Sequence, residues 1–193
     1  ARDAGQILQG FEITDSISDG LLKIDGKITG TGLKEVTKTN ILIENFGVKD
    51  APLFTQILNA TSLVGLVNTL RGKGIRFQTL RADVDFTPNK IEIKDSFASG
   101  TSLGVSTEGA IDRNSDQISI KGMIVPAYIL NRIIDQIPVV GRILTGGKKE
   151  GLLAAEYLIG GTRDEPEVSV NPLTAFTPGF LRAFVKATRK PLE

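Results

Sequence analysis

Residues 75–124 read IRFQTLRADVDFTPNKIEIKDSFASGTSLGVSTEGAIDRNSDQISIKGMI. Apolar and polar positions alternate through most of this stretch, and alternation with period two is the mark of a half-buried strand. Leu80, Ala82, Val84 and Phe86 share one phase, opposite Arg81, Asp83 and Asp85. The phase slips between Phe77 and Leu80, so a β-bulge is expected near Gln78-Thr79. After the turn at Thr87-Pro88-Asn89, Ile91, Ile93 and Phe97 are expected on one face, with Glu92 and Lys94 on the other. Leu103, Val105, Thr107, Gly109 and Ile111 make a third strand, and Ile118, Ile120, Gly122 and Ile124 a fourth. Short turns separate the four, which predicts an up-and-down antiparallel meander. The phrases LLKIDGKI (21–28), VSTEGAI (105–111) and ISIKGMI (118–124) each carry a glycine near one phase. Glycines aligned across strands would bend the sheet along a line. The fold class expected is therefore α+β and mostly antiparallel: a curved up-and-down sheet with apolar helices packed on or in its concave face.

Working outward, LLKIDGKI predicts an earlier strand with Leu22, Ile24 and Ile28 on its apolar face. TNILIENFGV (39–48) predicts another. Asp50-Ala51-Pro52 reads as a helix start, with Asp50 as N-cap and a helix running to about Arg71. Leu53, Phe54, Ile57, Leu58, Leu63, Val64, Leu66, Val67 and Leu70 spread over most of its circumference, so it is expected to be covered on more than one side. Residues 3–9 suit a turn or two of helix. Beyond the meander, Pro126 and Pro138 frame a helix with the stripe Leu130, Ile133, Ile134 and Ile137. Strands are expected at 152–159 and 168–170. Phe180, Leu181, Phe184 and Val185, with Arg182, Lys186, Arg189 and Lys190, make residues 178–193 a basic amphipathic tail suited to docking or membrane contact. All 193 residues are read as one domain, opening on Ala1 rather than Met as a piece of a longer protein would.

Composition removes whole classes of chemistry. The chain has no Cys and no His, which excludes thiol nucleophiles, thiolate metal sites and His-based triads. Its net charge is +1 and both halves are nearly neutral, so no nucleic-acid partner is expected. GRILTGGKK (141–149) approximates a phosphate loop, but its Lys is displaced and no Ser or Thr follows. Asp83 and Asp85 read as a solvated outer face. No enzyme activity, cofactor or metal is expected.

Five phrases in order carry a family resemblance: GMIVPAYILN (122–131), IPVVGRIL (137–144), GGKKEGLLAAEY (146–157), PEVSVNPL (166–173) and PGFLR (178–182). Together they resemble the C-terminal region of YhdP-type proteins in the AsmA-like superfamily of Gram-negative bacteria. The resemblance implies a curved sheet with an apolar groove, in a periplasmic piece of a parent anchored in the inner membrane. It implies phospholipid transport towards the outer membrane and a part in the permeability barrier, with no catalytic residues. An envelope or outer-membrane protein partner is the other contact it suggests. The inward phase of the strands and helices then gives the candidate lipid contacts: Leu22, Ile24, Ile28, Phe54, Ile57, Leu58, Val84, Phe86, Ile91, Ile93, Leu103, Val105, Ile118, Ile120, Leu130, Ile133 and Ile134. The alternative is a structural or interaction domain whose own helices fill the groove.

Overall fold

A computed structural model describes residues 3–11, 13–61, 64–127 and 154–173. Eight strands form a single sheet: β1 (Ile17–Thr29), β2 (Val36–Val48), β3 (Ile75–Phe86), β4 (Lys90–Gly100), β5 (Leu103–Asp112), β6 (Ile118–Pro126), β7 (Ala154–Gly161) and β8 (Pro166–Leu173). Their spatial order is their chain order, every neighbouring pair is antiparallel, and the sheet is not closed into a barrel. The meander expected from residues 75–124 is thus the centre of a longer one. The strands at either end run further than alternation indicated, since β1 begins at Ile17, β2 at Val36, and β8 covers Pro166–Leu173.

Among the described residues three α-helices accompany the sheet: α1 (Ala4–Gly10), α2 (Pro52–Ala60) and α3 (Val64–Arg71). Asp3 caps α1, accepting a hydrogen bond from the Gln6 amide at 3.0 Å. The helix lies so close to β1 that a Cβ on Gly5 would sit 2.6 Å from the Ile17 carbonyl oxygen. Only glycine allows that approach.

The single helix expected from Asp50 to Arg71 is instead two. Its N-cap is Ala51, which makes no side-chain cap bond, while Asp50 adopts φ 49°. The first helix stops at Thr61, whose amide bonds the Ile57 carbonyl at 3.0 Å and whose hydroxyl donates to the Leu58 carbonyl at 2.9 Å. A threonine hydroxyl that satisfies a carbonyl locally competes with the next helical turn. The stripe at Leu130, Ile133 and Ile134 and the tail at 178–193 lie outside the described residues.

A bulge at Gln78 separates the pairs Phe77–Gly100 and Thr79–Ser99, as the phase slip predicted. A second irregularity was not expected. β4 carries one extra residue at Lys94-Asp95, between the Ile93–Gly109 and Ser96–Thr107 pairs. It turns Ser96 to the face of Ile91 and Ile93 and puts Phe97 on the opposite face, beside Arg81 and Ser106. The placement of Phe97 with Ile91 and Ile93 is corrected accordingly.

The core joins the upper sheet to the helices. Ile57 and Leu58 of α2, Val67 and Leu70 of α3, and Ala4 of α1 cluster with Leu22, Ile43, Phe46, Ile75, Phe77, Leu103, Ile124 and Tyr157. Phe46 stacks on Phe77 at 5.3 Å, and Phe54 leans on Phe77 at 6.5 Å. α3 contacts β3, whereas α2 contacts β8.

Candidate functional site

Strand register sorts the inner face into rows that run across the sheet. The first is Leu22, Ile43, Leu80, Ala98, Val105, Ile124 and Ala155. The second is Ile24, Ile41, Ala82, Ser96, Thr107, Gly122, Tyr157 and Val170. The third is Gly26, Thr39, Val84, Ile93, Gly109, Ile120, Ile159 and Val168. The fourth is Ile28, Thr37, Phe86, Ile91, Ile111 and Ile118. None of these four rows contains an Asp, Glu, Lys or Arg. Gly26 and Gly109 share the third row, but Gly122 lies in the second, so the repeated glycine phrase does not fall on one line.

The rows differ in cover. In the first row, Leu22, Ile43 and Ile124 share the core cluster with residues of α1, α2 and α3. The fourth row lies outside that cluster. Phe86, Ile91, Ile111 and Ile118 are half-buried, and Ile28 is 64% exposed. Ile24, in the second row, is 55% exposed although it faces inward. The expected contact residues therefore divide. Leu22, Ile57, Leu58, Val84 and Leu103 are buried, with all but Val84 in the core cluster. Phe54, Phe86, Ile91, Ile93, Val105, Ile118 and Ile120 are half-buried, and Ile24 and Ile28 are open. Register adds Ile41, Ile111, Ile159, Val168 and Val170 to the same surface. Each lay in an alternating run, but membership of a common face needed the pairing between strands.

Tyr157 anchors the middle of the face. Its ring crosses Gly122 on the neighbouring strand, and its hydroxyl donates to the Ser106 carbonyl at 2.8 Å. With that proton committed, Thr107 Oγ1 donates back to the phenol oxygen at 2.7 Å. Burial raises the phenol pKa from the ordinary 10 to about 12, opposed by the Thr107 hydrogen bond. The folded state thus keeps a proton that the unfolded chain loses. Stability from this group is complete below pH 10 and falls as pH rises from 10 to about 12, by at most roughly 3 kcal/mol. Alkaline unfolding followed by circular dichroism is expected to show this loss, and Tyr157→Phe to remove it from the difference between the two proteins.

The outer face is polar over the lower sheet. Lys94 pairs with Glu92 at 2.6 Å and Asp85 at 3.7 Å, and Lys121 with Glu108 at 2.8 Å. Lys94 and then Lys90 hold Glu92 below the usual carboxylate range, and Glu92 holds Lys94 above its own. Lys90, Glu92, Lys94, Glu108 and Lys121 border an open depression of about 500 Å³ whose charges already satisfy one another. No group of three or more His, Cys, Asp or Glu suited to a metal ion occurs among the described residues.

Among the described residues, fold and site together define an antiparallel meander with one charged face and one apolar face, of which the fourth row lies outside the core cluster. A scan against protein-family models, a search of curated proteins and a search of solved structures each found no match to this chain.

Proposed function

We propose that this chain is a non-enzymatic lipid-binding module that holds acyl chains against the lower rows of its inner face. In this reading it belongs to an AsmA-like, YhdP-type envelope protein, works in the periplasm as part of an inner-membrane-anchored parent, and serves phospholipid transport to the outer membrane. The observation that carries it is the apolar surface of the second to fourth rows, open at Ile24 in the second and Ile28 in the fourth. Covering such a surface is favourable by about 25 cal/mol per Å². The helix contacts support a concave shape. β2 and β8 are six strands apart, about 29 Å across a flat sheet. Yet α2 starts four residues after β2 ends and contacts β8. A sheet curled around the helices brings the two together.

The second reading, an interaction domain with a self-filled groove that docks an envelope protein, is favoured by Leu58 and Leu70, which are fully buried. It accounts for the first row and leaves the fourth unexplained.

Native mass spectrometry of the purified chain tests the choice. Bound phospholipid is expected, together with transfer between labelled liposomes, and Ile28→Asp is expected to reduce both about tenfold by placing a charge against the acyl chain. A protein that carries no lipid and transfers none would overturn the lipid reading in favour of the self-filled domain.

A further inference from the structure

The lower part of β1 is an exposed edge with an unusual charge order. Among the described residues β1 pairs in the sheet with β2 alone, and residues 23–29 (KIDGKIT) are all exposed. Lys23, Asp25 and Lys27 project from the outer face, and none makes an ion pair among the described residues. Ile24, Gly26 and Ile28 project from the inner face, with both isoleucines more than half exposed. An edge like this presents unpaired backbone donors and acceptors to another strand.

We propose that the occupant of this edge is a second copy of the chain, paired antiparallel through β1 with the two-fold axis at Gly26. Charge order selects that register. An axis at Asp25 sets Lys23 against Lys27 of the second copy and Asp25 against its own counterpart, which is repulsive throughout. An axis at Gly26 sets Asp25 against Lys27 twice and Ile24 against Ile28 twice. Opposite charges and apolar pairs directly across an antiparallel pair are both stabilising. An axis at Ile24 also matches charges, but it leaves Ile28 opposite Gly20, where the backbone has φ 92° and the strand is irregular. The Gly26 register covers both exposed isoleucines and stays within regular strand. The resulting contact is isologous and closes at two copies. It also makes the inner faces of the two sheets continuous, although the pairing does not depend on lipid binding.

The absence of native cysteine makes the test direct. A Cβ on Gly26 would meet nothing nearer than 3.7 Å, so Gly26→Cys is accommodated. Under mild oxidation it is expected to give a disulfide-linked dimer, because the two copies of residue 26 face each other across the axis. Lys23→Cys, equally exposed on the same strand, is expected to give none. Its two copies are about 20 Å apart, beyond disulfide reach. In sedimentation velocity, Asp25→Lys is expected to weaken the dimer about tenfold or more, and Asp25→Lys with Lys27→Asp to restore it. A chain that stays monomeric up to roughly 100 µM would overturn the proposal. Equal crosslinking through positions 23 and 26 would overturn it as well.

Discussion

Leu58→Asp is expected to leave the protein unfolded at room temperature, while Ile24→Asp folds with a melting temperature within a few degrees of the original. Both changes replace an aliphatic side chain by a carboxylate, and both residues face the sheet's apolar side. The difference is cover. Leu58 is 0% exposed, packed with the core residues of α3 and the upper strands. Truncating such a leucine to alanine costs about 2–5 kcal/mol, and burying an unpaired charge adds more. That approaches the whole stability of an ordinary domain, about 5–15 kcal/mol. Ile24 lies on an edge strand with more than half its surface in water, so its replacement costs about 1 kcal/mol. Circular dichroism and thermal melts of the two variants measure the contrast. If Ile24→Asp also unfolds the chain, the lower rows are a closed core rather than an accessible surface. If it folds, the same variant is a clean reagent for the lipid measurement, since any loss of binding is then local.

Gly122→Ala is expected to destabilise the protein by about 3 kcal/mol or more, far beyond the usual effect of adding one methyl. The new Cβ would collide with the Ser106 carbonyl oxygen on β5 and with the Tyr157 ring on β7. A carbonyl held in a sheet ladder moves only with its strand. The ring is no freer, because its hydroxyl is tied to the Ser106 carbonyl and to Thr107. Removing the ring should therefore relieve part of the strain. In a Tyr157→Ala background, Gly122→Ala is expected to cost measurably less, and the coupling in a double-mutant cycle gives the ring's share. Strict additivity would show that the two residues do not act on each other. An aromatic side chain laid over a cross-strand glycine is also a known way of pinning sheet register.

The meander was readable because its strands bury one face and wet the other, which writes the fold into alternation. Val84, Phe86, Ile120 and Ile124 needed nothing else. The break after Ala60 was harder, since the apolar positions on either side continue a helical pattern. The extra residue in β4 left a single trace, the charged Asp95 at what alternation makes an inward position. Phe97 at the next such position masked it. The site was readable by phase but not by exposure. Ile24 and Leu22 are indistinguishable in an alternating string, yet Leu22 joins the core cluster with residues of α1, α2 and α3 while Ile24 stands outside it, 55% exposed. The Tyr157–Gly122 contact joins residues 35 apart in sequence through strand pairing, which no local pattern encodes.

The chain-order arrangement of β1 to β8 has an evolutionary consequence. Each strand meets only its predecessor and successor, so the sheet is built like a linear stack whose units are hairpins. Inserting or losing one whole hairpin changes the width of the apolar face by about 10 Å and leaves the inward or outward sense of every other residue untouched. Gain or loss of a single strand instead reverses the direction of all that follow. Such a scaffold is scalable in even steps, and lineages can tune the span of its greasy surface by duplicating hairpins without redesigning the residues already there.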